Sequence, residues 1–190
     1  IHKYKHLIVS PHYTKNVFKK LIDKEIAFAK AGKEASIKIK MNSFTSYKMI
    51  DKLYEASRAG VKIQLIIRGI CCLVPGIPGM SENIEVISVI DKFLEHTRLF
   101  IFGNDNDPKI YISSADWMTR NLDYRVEVGC PIYDTDIKKE LIDTFNMSWE
   151  DNTKSRWLTD QQESPYRELE SASLRSQFAM YDYYKNKLEN

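Results

Sequence analysis

The chain has 190 residues, of which 43% are hydrophobic; this suits one domain with a sizeable core, alone or with an appendage, and excludes two full domains. No run of about 18 uncharged apolar residues occurs, which excludes a membrane-spanning helix of ordinary length. The net charge of +2 hides an uneven distribution, because residues 1–68 carry 15 Lys and Arg against 5 acids and residues 69–190 carry 13 against 21. The first part can therefore attract anions, although such charges commonly form solvated helix faces.

The first residues of the chain and its cysteines bear on the length of the whole protein and on the redox environment in which it works. The first residues include neither an initiator methionine nor the apolar region of a signal peptide, so we expect a fragment of a longer protein. Three cysteines, with Cys71 and Cys72 adjacent, suit neither a disulfide framework nor a CxxC metal pair. They favour a reducing cytosol, with the adjacent pair as packing residues and a reactive or metal-binding role as the alternative.

The first third of the chain alternates strand and helix patterns. Thr14 is the expected cap of the first helix, and Gly32 and Gly60 end the first and second helices. The βαβαβ order predicts an α/β fold with a largely parallel mixed sheet flanked by helices. The predicted elements are a strand at residues 5–10, a helix at 14–31, a strand at 35–41, a helix at 46–59 and a strand at 61–67.

Ligands of such sheets gather beyond the carboxyl ends of the strands. This places residues 10–11, 42–43 and 68–69 on one common edge. A loop with two Pro-Gly steps follows at residues 73–83, where rigid prolines and permissive glycines predict either exposed backbone N–H groups or a plain surface connection.

The middle of the chain predicts a hairpin. Residues 84–94 fit a strand or a helix, whereas residues 98–102 and 109–113 are typical of paired strands around a turn at 103–108. That acidic turn resembles a calcium loop, but it lacks the glycine and terminal glutamate of an EF-hand, so a solvated turn is the better interpretation.

Further along, alternation of charged and apolar residues predicts a strand that presents Arg125 and Glu127 on one face. Thr135 or Asp136 is expected to cap an amphipathic helix that ends near Trp149, and the globular unit is expected to close near Leu158.

The last part, residues 159–190, is expected to be a polar linker and a C-terminal helix or tail. Apolar and aromatic residues recur there at helical spacing, which favours packing against the chain's own core or a partner subunit over stacking on nucleotide bases. They are Leu174, Phe178, Tyr181, Tyr184 and Leu188.

Two residues near predicted strand ends are candidates for phosphate chemistry. Arg68 offers forked donors that match two phosphate oxygens, with a salt bridge to a nearby acid as the alternative. His96 lies 28 residues later and could donate a hydrogen bond to phosphate, shuttle a proton or attack phosphorus, although a lone histidine is more often structural. Its neighbour Glu95 need not touch it, because adjacent residues of a strand face opposite sides.

His96, Thr97 and Arg98 resemble the histidine-x-lysine core of the phospholipase D superfamily, in which two similar halves surround one phosphorus atom. Arg98 stands in place of the lysine, Gly103 stands where the motif has aspartate, and one copy is present. A complete phosphodiesterase site of that type therefore cannot be assembled from this chain.

Four longer motifs closely resemble the C-terminal catalytic region of bacterial polyphosphate kinase. They are residues 68–73 (RGICCL), residues 75–79 with 81–84 (PGIPG, SENI), residues 93–96 (FLEH) and residues 113–123 (SSADWMTRNLD). The resemblance extends from about Tyr4 to about Leu158 and implies that residues 1–158 are the second of two phospholipase D-like catalytic domains.

This resemblance implies reversible transfer of the terminal phosphate of ATP to inorganic polyphosphate, with ATP or ADP and Mg²⁺ as cofactors. The phosphorylated histidine is implied in a preceding domain, so the fragment should carry half of the active site and not turn over alone. Arg68 and His96 are implied to contact nucleotide phosphate, with His96 as proton donor or leaving-group stabiliser, and Arg125 and Glu127 to be further catalytic positions.

Weaker candidates are the polar side chains of residues 42–43 and 113–116, which equally often tie down loops. These weaker candidates are Asn42, Ser43, Ser113, Ser114 and Asp116. The metal ligands are not identified.

The implied partners are inorganic polyphosphate, ATP, the preceding domains of the same polypeptide and further copies in a homo-oligomer, without nucleic acid. The implied location is the cytoplasm, at the inner membrane face in some family members. Two alternatives stay open: half of a phospholipase D-type phosphodiesterase, and a non-catalytic module that binds polyanions.

Overall fold

A computed structural model describes residues 4–168 and 172–189. Its strands are β1 Ile8–Val9, β2 Ser36–Met41, β3 Lys62–Ile67, β4 Ile84–Val89, β5 Leu99–Phe102, β6 Lys109–Ser113, β7 Val128–Ile132 and β8 Ser155–Leu158. Its α-helices are α1 Thr14–Lys30, α2 Tyr47–Arg58, α3 Thr135–Trp149 and α4 Ser176–Glu189, and a π-helical turn lies at Arg120–Tyr124. None of the helices among these described residues is long and apolar enough to cross a membrane.

The strands form one sheet in the order β1-β7-β6-β5-β2-β3-β4-β8. Only β2 with β3 and β3 with β4 pair in parallel, and the other five pairings are antiparallel. The predicted α/β fold is confirmed, but a largely parallel sheet was wrong. Parallel neighbours need a long crossover, whereas the short turn between β5 and β6 reverses the chain direction, and β1, β7 and β8 join their neighbours in antiparallel orientation.

Two apolar clusters cover the two faces of the sheet. On one face, Phe18, Ile22 and Ile26 of α1 recur at helical spacing and pack with α2 over the sheet. On the other face, Phe145 of α3 packs on the remaining inward-facing strand residues, among them Ile66 and Ile101. The central strands are therefore buried on both faces, and the ambiguous residues 84–94 begin with one of them, β4.

Most helix boundaries agree with the sequence patterns, and the caps differ. Gly32 and Gly60 follow α1 and α2 with positive φ angles of 69° and 91°, as expected of glycines after helix ends. Thr14 is the first helical residue and not the cap, because Tyr13 occupies that position. The cap of α3 is Asp134, one residue before the predicted pair, and its carboxylate accepts hydrogen bonds from the N–H groups of Asp136 and Ile137.

The last helix contacts the domain through polar side-chain pairs and not through the stripe of apolar and aromatic residues predicted from the sequence. Phe178, Tyr181, Tyr184 and Leu188 are all exposed, so the predicted packing of this stripe against the chain's own core is wrong. Instead Tyr183 Oη donates to Asp143 of α3 at 3.3 Å, and Lys187 pairs with Glu140 of the same helix.

The predicted hairpin of β5 and β6 is confirmed, with its turn fastened by buried polar groups. Asn104 Nδ2 donates to the Asp107 carbonyl at 2.8 Å, while the Glu25 carboxylate accepts from the N–H groups of Asn104 and Ser36. Gly103 N–H donates to the Ser36 carbonyl at 2.8 Å, which brings the two backbones close together. A side chain at this position, such as the aspartate of the phosphodiesterase motif, would crowd Ser36.

Replacement of Gly103 by alanine should therefore destabilise the fold. The added Cβ would lie 2.6 Å from Ser36 Oγ and 3.3 Å from Ser36 N. We expect a loss of about 1–3 kcal/mol in the free energy of unfolding, measured by urea denaturation. Combining Gly103→Ala with Ser36→Ala removes the nearest atom and should recover part of the loss; equal stability of Gly103→Ala and wild type would contradict the packing described.

Candidate active site at one edge of the sheet

Strand directions bring the predicted site segments to a single edge. Strands β1, β2, β3, β4 and β6 end there, and β5 and β7 begin there. All three turns predicted to converge follow strands that end at this edge, but contacts join only two of them: Gly69 N–H donates to the Asn42 carbonyl at 2.9 Å. Ser10 N–H donates instead to the Glu127 carbonyl at 2.9 Å, because β1 lies beside β7 and four strands away from β2. We call this the site edge; it comprises residues 10–11, 42–43, 68–70, 90–98, 113–116 and 125–127.

Arg68 lies half-buried at the end of β3. Its Nε donates to Asn42 Oδ1 at 2.8 Å, and its carbonyl accepts from Ser88 Oγ at 3.2 Å. Within the described part of the chain it forms no ion pair, so the salt-bridge alternative is not realised there. The Asn42 contact fixes the guanidinium plane and leaves its two terminal nitrogens for a ligand.

His96 lies in the irregular loop of residues 91–98 between β4 and β5. Its side chain is exposed, and its ring nitrogens have no hydrogen-bond partner among residues 4–168 and 172–189. Its backbone carbonyl accepts a hydrogen bond from Arg98 Nη1 at 3.0 Å. The loop backbone is thus held at His96 while the imidazole stays available.

Asp116 joins three segments of the site edge. Its buried carboxylate accepts from Asn42 N–H at 2.8 Å and from Ser43 N–H at 3.3 Å. Arg98 donates to the same carboxylate through Nε at 3.3 Å and Nη2 at 3.2 Å. Sequence reasoning named Asp116 only as a weak phosphate contact, and the structure makes it an anchor; Arg98, in the position of the motif lysine, has its charge offset by Asp116.

Lys40 is a buried cation that sequence reasoning did not select. It precedes the site edge on β2, and its Nζ lies 2.5 Å from Glu95 Oε2 and 2.9 Å from Ser148 Oγ of α3. A lysine one residue before the end of a strand whose last three residues are buried is the feature that points to it, because a buried charge requires a partner. The partner is Glu95, the residue next to His96.

Arg125 and Glu127 do not share a strand face. The chain forms the π-helical turn Arg120–Tyr124 before them, and β7 begins only at Val128. Arg125 is exposed, whereas Glu127 is buried and accepts hydrogen bonds from Ser114 Oγ and, at 2.6 Å, from Asn121 Nδ2. The predicted strand was wrong because these side-chain bonds, made across separate segments, close an irregular turn.

Hydroxyl groups of the 113–116 turn serve the backbone. Ser113 Oγ donates to the Val128 carbonyl at 3.0 Å and accepts from Ala115 N–H, and Ser114 Oγ accepts from Val128 N–H. The Pro-Gly loop is also bonded internally, since Ser81 Oγ accepts from Ile77 N–H and donates to the Val74 carbonyl. The serines of the 113–116 turn thus tie down a loop, and the Pro-Gly loop is a surface connection; each is the alternative considered from the sequence.

The described carboxylates of the site edge do not fit a protein-held magnesium cage. Asp116 pairs with Arg98, Glu95 with Lys40, and Glu127 with two neutral donors. No cluster of three or more His, Cys, Asp or Glu side chains that could hold a metal occurs among residues 4–168 and 172–189. A magnesium ion held mainly by substrate phosphates and water would be compatible with this arrangement.

The adjacent cysteines differ in environment. Cys71 packs against the core, its Sγ donates to the Leu73 carbonyl at 3.6 Å, and burial raises the pKa of its thiol to about 11. Cys72 is exposed, and both are free thiols. The expectation that both cysteines are packing residues therefore holds for Cys71 and is wrong for Cys72.

The sheet, its flanking helices and the polar edge define a phospholipase D-like domain. A phospholipase D family member from Salmonella typhimurium matches 80% of this chain and 96% of its own with a TM-score of 0.59; at 16% identity, this likeness shows the fold alone. Polyphosphate kinase from Porphyromonas gingivalis matches with a TM-score of 0.94 and 39% identity over 98% of this chain and 29% of its own.

The sequence comparisons narrow the class to one family. The family model described as polyphosphate kinase C-terminal domain 2 matches residues 7–177. Polyphosphate kinase of Vibrio parahaemolyticus is 50% identical over 185 residues, which are 97% of this chain and 27% of that protein. The chain belongs to the polyphosphate kinase C-terminal domain 2 family, and it spans about a quarter of the length of the curated relatives it matches.

Loss of the Asp116 charge should destabilise the domain. In Asp116→Asn, Arg98 loses its charged partner. The new NH2 group of the asparagine is a donor, and it would face either the donors of Arg98 or the backbone N–H groups. We expect a loss of about 2–3 kcal/mol, measured by urea denaturation. The matched control is Asp107→Asn, which removes the ion pairs of an exposed carboxylate with Lys109 and Lys138 and should cost less than about 1 kcal/mol. Equal losses in both variants would contradict the anchoring role.

Thiol reactivity should separate the two adjacent cysteines. At pH 8, about one Cys71 in a thousand is a thiolate if its pKa is about 11, and burial also blocks access. A short iodoacetamide pulse on the native protein, read by peptide mass spectrometry, should label Cys72 first, and labelling of Cys71 should rise as the pH approaches 11. Equal labelling of both at pH 8 would contradict the assigned environments.

Proposed function

We propose that this chain forms one wall of the active site of a polyphosphate kinase, which reversibly transfers the terminal phosphate of ATP to inorganic polyphosphate. Membership of the family supports this reaction. One structural observation carries it further: Arg68 and His96 lie on one sheet edge, and the Arg68 terminal nitrogens and the His96 ring have no partner among the described residues. A cation and an imidazole left open in this way suit a phosphate ligand.

Arg68 is proposed to bind phosphate oxygens of the nucleotide. Asn42 occupies its Nε, so the two terminal nitrogens are the donors that face a ligand. As the transferred phosphoryl group spreads charge over its oxygens, a fixed guanidinium stabilises that charge without reorganisation. His96 is proposed to donate a proton to the leaving oxygen or stabilise it by a hydrogen bond.

Arg125 and Glu127 are proposed to act at different distances from the substrate. Arg125 is exposed at the site edge and suits a second contact with the polyanion. Glu127 is occupied by Ser114 and Asn121, which suits a role in holding the wall in place. Neither role requires a protein-held metal, and magnesium would enter with the nucleotide.

The other wall is proposed to come from a preceding domain of the same polypeptide, which carries the phosphohistidine. The chain spans about a quarter of its curated relatives, leaving most of such a protein outside it. Exposed apolar side chains at the site edge suit a surface that another domain covers. They are Ile70, Ile90, Phe93 and Leu94, each exposing more than half of its surface. A homo-oligomer in the reducing cytoplasm, at the inner membrane face in some family members, completes the proposal; the free thiols of Cys71, Cys72 and Cys130 suit such a compartment.

Two alternatives receive less support. Half of a phosphodiesterase of the phospholipase D type would need the motif lysine and aspartate, where this chain has Arg98, paired with Asp116, and the crowded Gly103. A module that only binds polyanions would need no open imidazole. Activity measurements on variants separate these functions.

In the full-length protein, Arg68→Ala and His96→Ala should each slow ATP formation from ADP and polyphosphate by about 10²–10³-fold. Loss of a charge-stabilising donor or of a proton donor is the physical reason. The rate is measured by a coupled luminescence assay for ATP. Arg58→Ala, which removes an exposed arginine at the end of α2, is the matched control and should retain the wild-type rate.

Unchanged rates in both site variants would overturn the site assignment. Intact polyphosphate binding together with unchanged activity would favour the binding module. In the same assay the fragment of residues 1–190 should give no phosphotransfer, and turnover by it would refute a nucleophile located in another domain.

A further inference from the structure

The loop of residues 91–98 needs support from outside the sheet. It follows β4 and precedes β5, it has no strand or helix of its own, and most of its side chains are exposed. His96 therefore cannot take its position from regular backbone pairing. The contacts of this loop with the rest of the chain decide where the imidazole lies.

Gln177, the second residue of α4, binds the backbone of this loop from outside. Its Oε1 accepts from Phe93 N–H at 2.9 Å, and its Nε2 donates to the Phe93 carbonyl at 2.8 Å. The same Nε2 donates to Glu95 Oε1 at 2.9 Å. A single amide side chain thus satisfies both backbone groups of Phe93 and holds the residue that precedes His96.

Glu95 is held from two sides. Gln177 binds one carboxylate oxygen, and Lys40 Nζ of β2 binds the other at 2.5 Å. Lys40 is itself buried and bonded to Ser148 of α3. The carboxylate next to His96 therefore joins the last helix to the centre of the sheet.

Arg175 makes a second link between the last helix and the loop. It donates to Asp91 through Nε at 2.8 Å and Nη2 at 2.5 Å, and the Asp91 side chain is only 2% exposed. The hydrogen bond from Arg175 lowers the pKa of Asp91, because it stabilises the charged form of this carboxylate. Two charge-assisted hydrogen bonds in a forked geometry fix both the orientation of Asp91 relative to Arg175 and the distance between them.

The start of α4 is in turn fixed to the domain. The Asp151 carboxylate, at the turn between α3 and β8, accepts from Ser176 N–H at 2.7 Å and through its other oxygen from Lys154 N–H at 2.7 Å. Ser176 lies between Arg175 and Gln177, so both residues extend toward the loop from a backbone segment that this hydrogen bond holds in place. The remainder of α4 is held by side-chain pairs with α3, among them that of Lys187 with Glu140.

We propose that Gln177, assisted by Arg175, is a positioning residue that sets the place of His96, so that the first turn of α4 belongs to the catalytic apparatus. This inference rests on the proposed role of His96. Gln177 acts through Glu95 and the loop backbone and touches neither substrate nor product. A displacement of about 1 Å at a catalytic group costs about 10²-fold in rate, which sets the scale of the expected effect.

The test compares Gln177→Ala with Lys187→Ala in the full-length protein. Both substitutions remove a contact of the same helix, but only Gln177 reaches the His96 loop. Gln177→Ala should lower kcat for ATP formation from ADP and polyphosphate by about 10–100-fold with KM changed by less than about threefold. Lys187→Ala should keep kcat within about twofold.

A double-substitution experiment separates positioning from general destabilisation. In the His96→Ala background, Gln177→Ala should have no further effect on the residual rate, because the group it positions is gone. Additive losses, or equal kcat losses in Gln177→Ala and Lys187→Ala, would overturn the inference. Full activity of His96→Ala itself would instead overturn the proposed function.

A second variant provides a test that does not depend on the alanine variant folding. Gln177→Glu places a carboxylate against Glu95 and the Phe93 carbonyl while the pair of Lys40 with Glu95 stays in place, and it should lower kcat by about 10–100-fold. Wild-type kcat in this variant, with its fold checked by circular dichroism, would overturn the inference.

Discussion

The site edge depends on one buried carboxylate, that of Asp116. It accepts hydrogen bonds from the end of β2, 74 residues earlier in the chain, and from Arg98 at the start of β5. A buried charge is costly unless it is paired and fully hydrogen-bonded, so these partners must stay in place. The interaction also offsets the charge of Arg98. Arg98 therefore has a structural role, whereas Arg68 remains open to a ligand.

Two separate contacts explain how this domain differs from the phosphodiesterase pattern it resembles. In the motif position of lysine, Arg98 supplies a fork that binds the Asp116 carboxylate and reaches the His96 carbonyl as well. In the motif position of aspartate, Gly103 packs so closely on Ser36 that any side chain there would force Ser36 to shift. Both positions are structural in this chain, and His96 is left as the open group on a loop held by Glu95 and the last helix.

Much of the fold was predictable, because local periodicity and end signals report directly on elements. The apolar alternation of β2 and β3, the amphipathic α2 and the β5–β6 turn all follow from neighbouring residues. Strand direction was not predictable in the same way, since it depends on which strands pair. The prediction that Arg125 and Glu127 share one strand face was wrong because hydrogen bonds from Ser114 and Asn121 to Glu127 override the local alternation.

The sequence by itself determined the chemistry available at the edge: an arginine after a buried strand, a lone histidine before another, and motifs that resemble one family. Those inferences need only residue types and spacing. The tertiary structure alone decided which charges stay open, because pairing depends on groups far apart in the chain, as with Asp116 and Arg98, Lys40 and Glu95, or Gln177 and Glu95. The C-terminal helix, which the sequence predicts only as a helix or tail, supports the His96 loop through the contacts of Gln177.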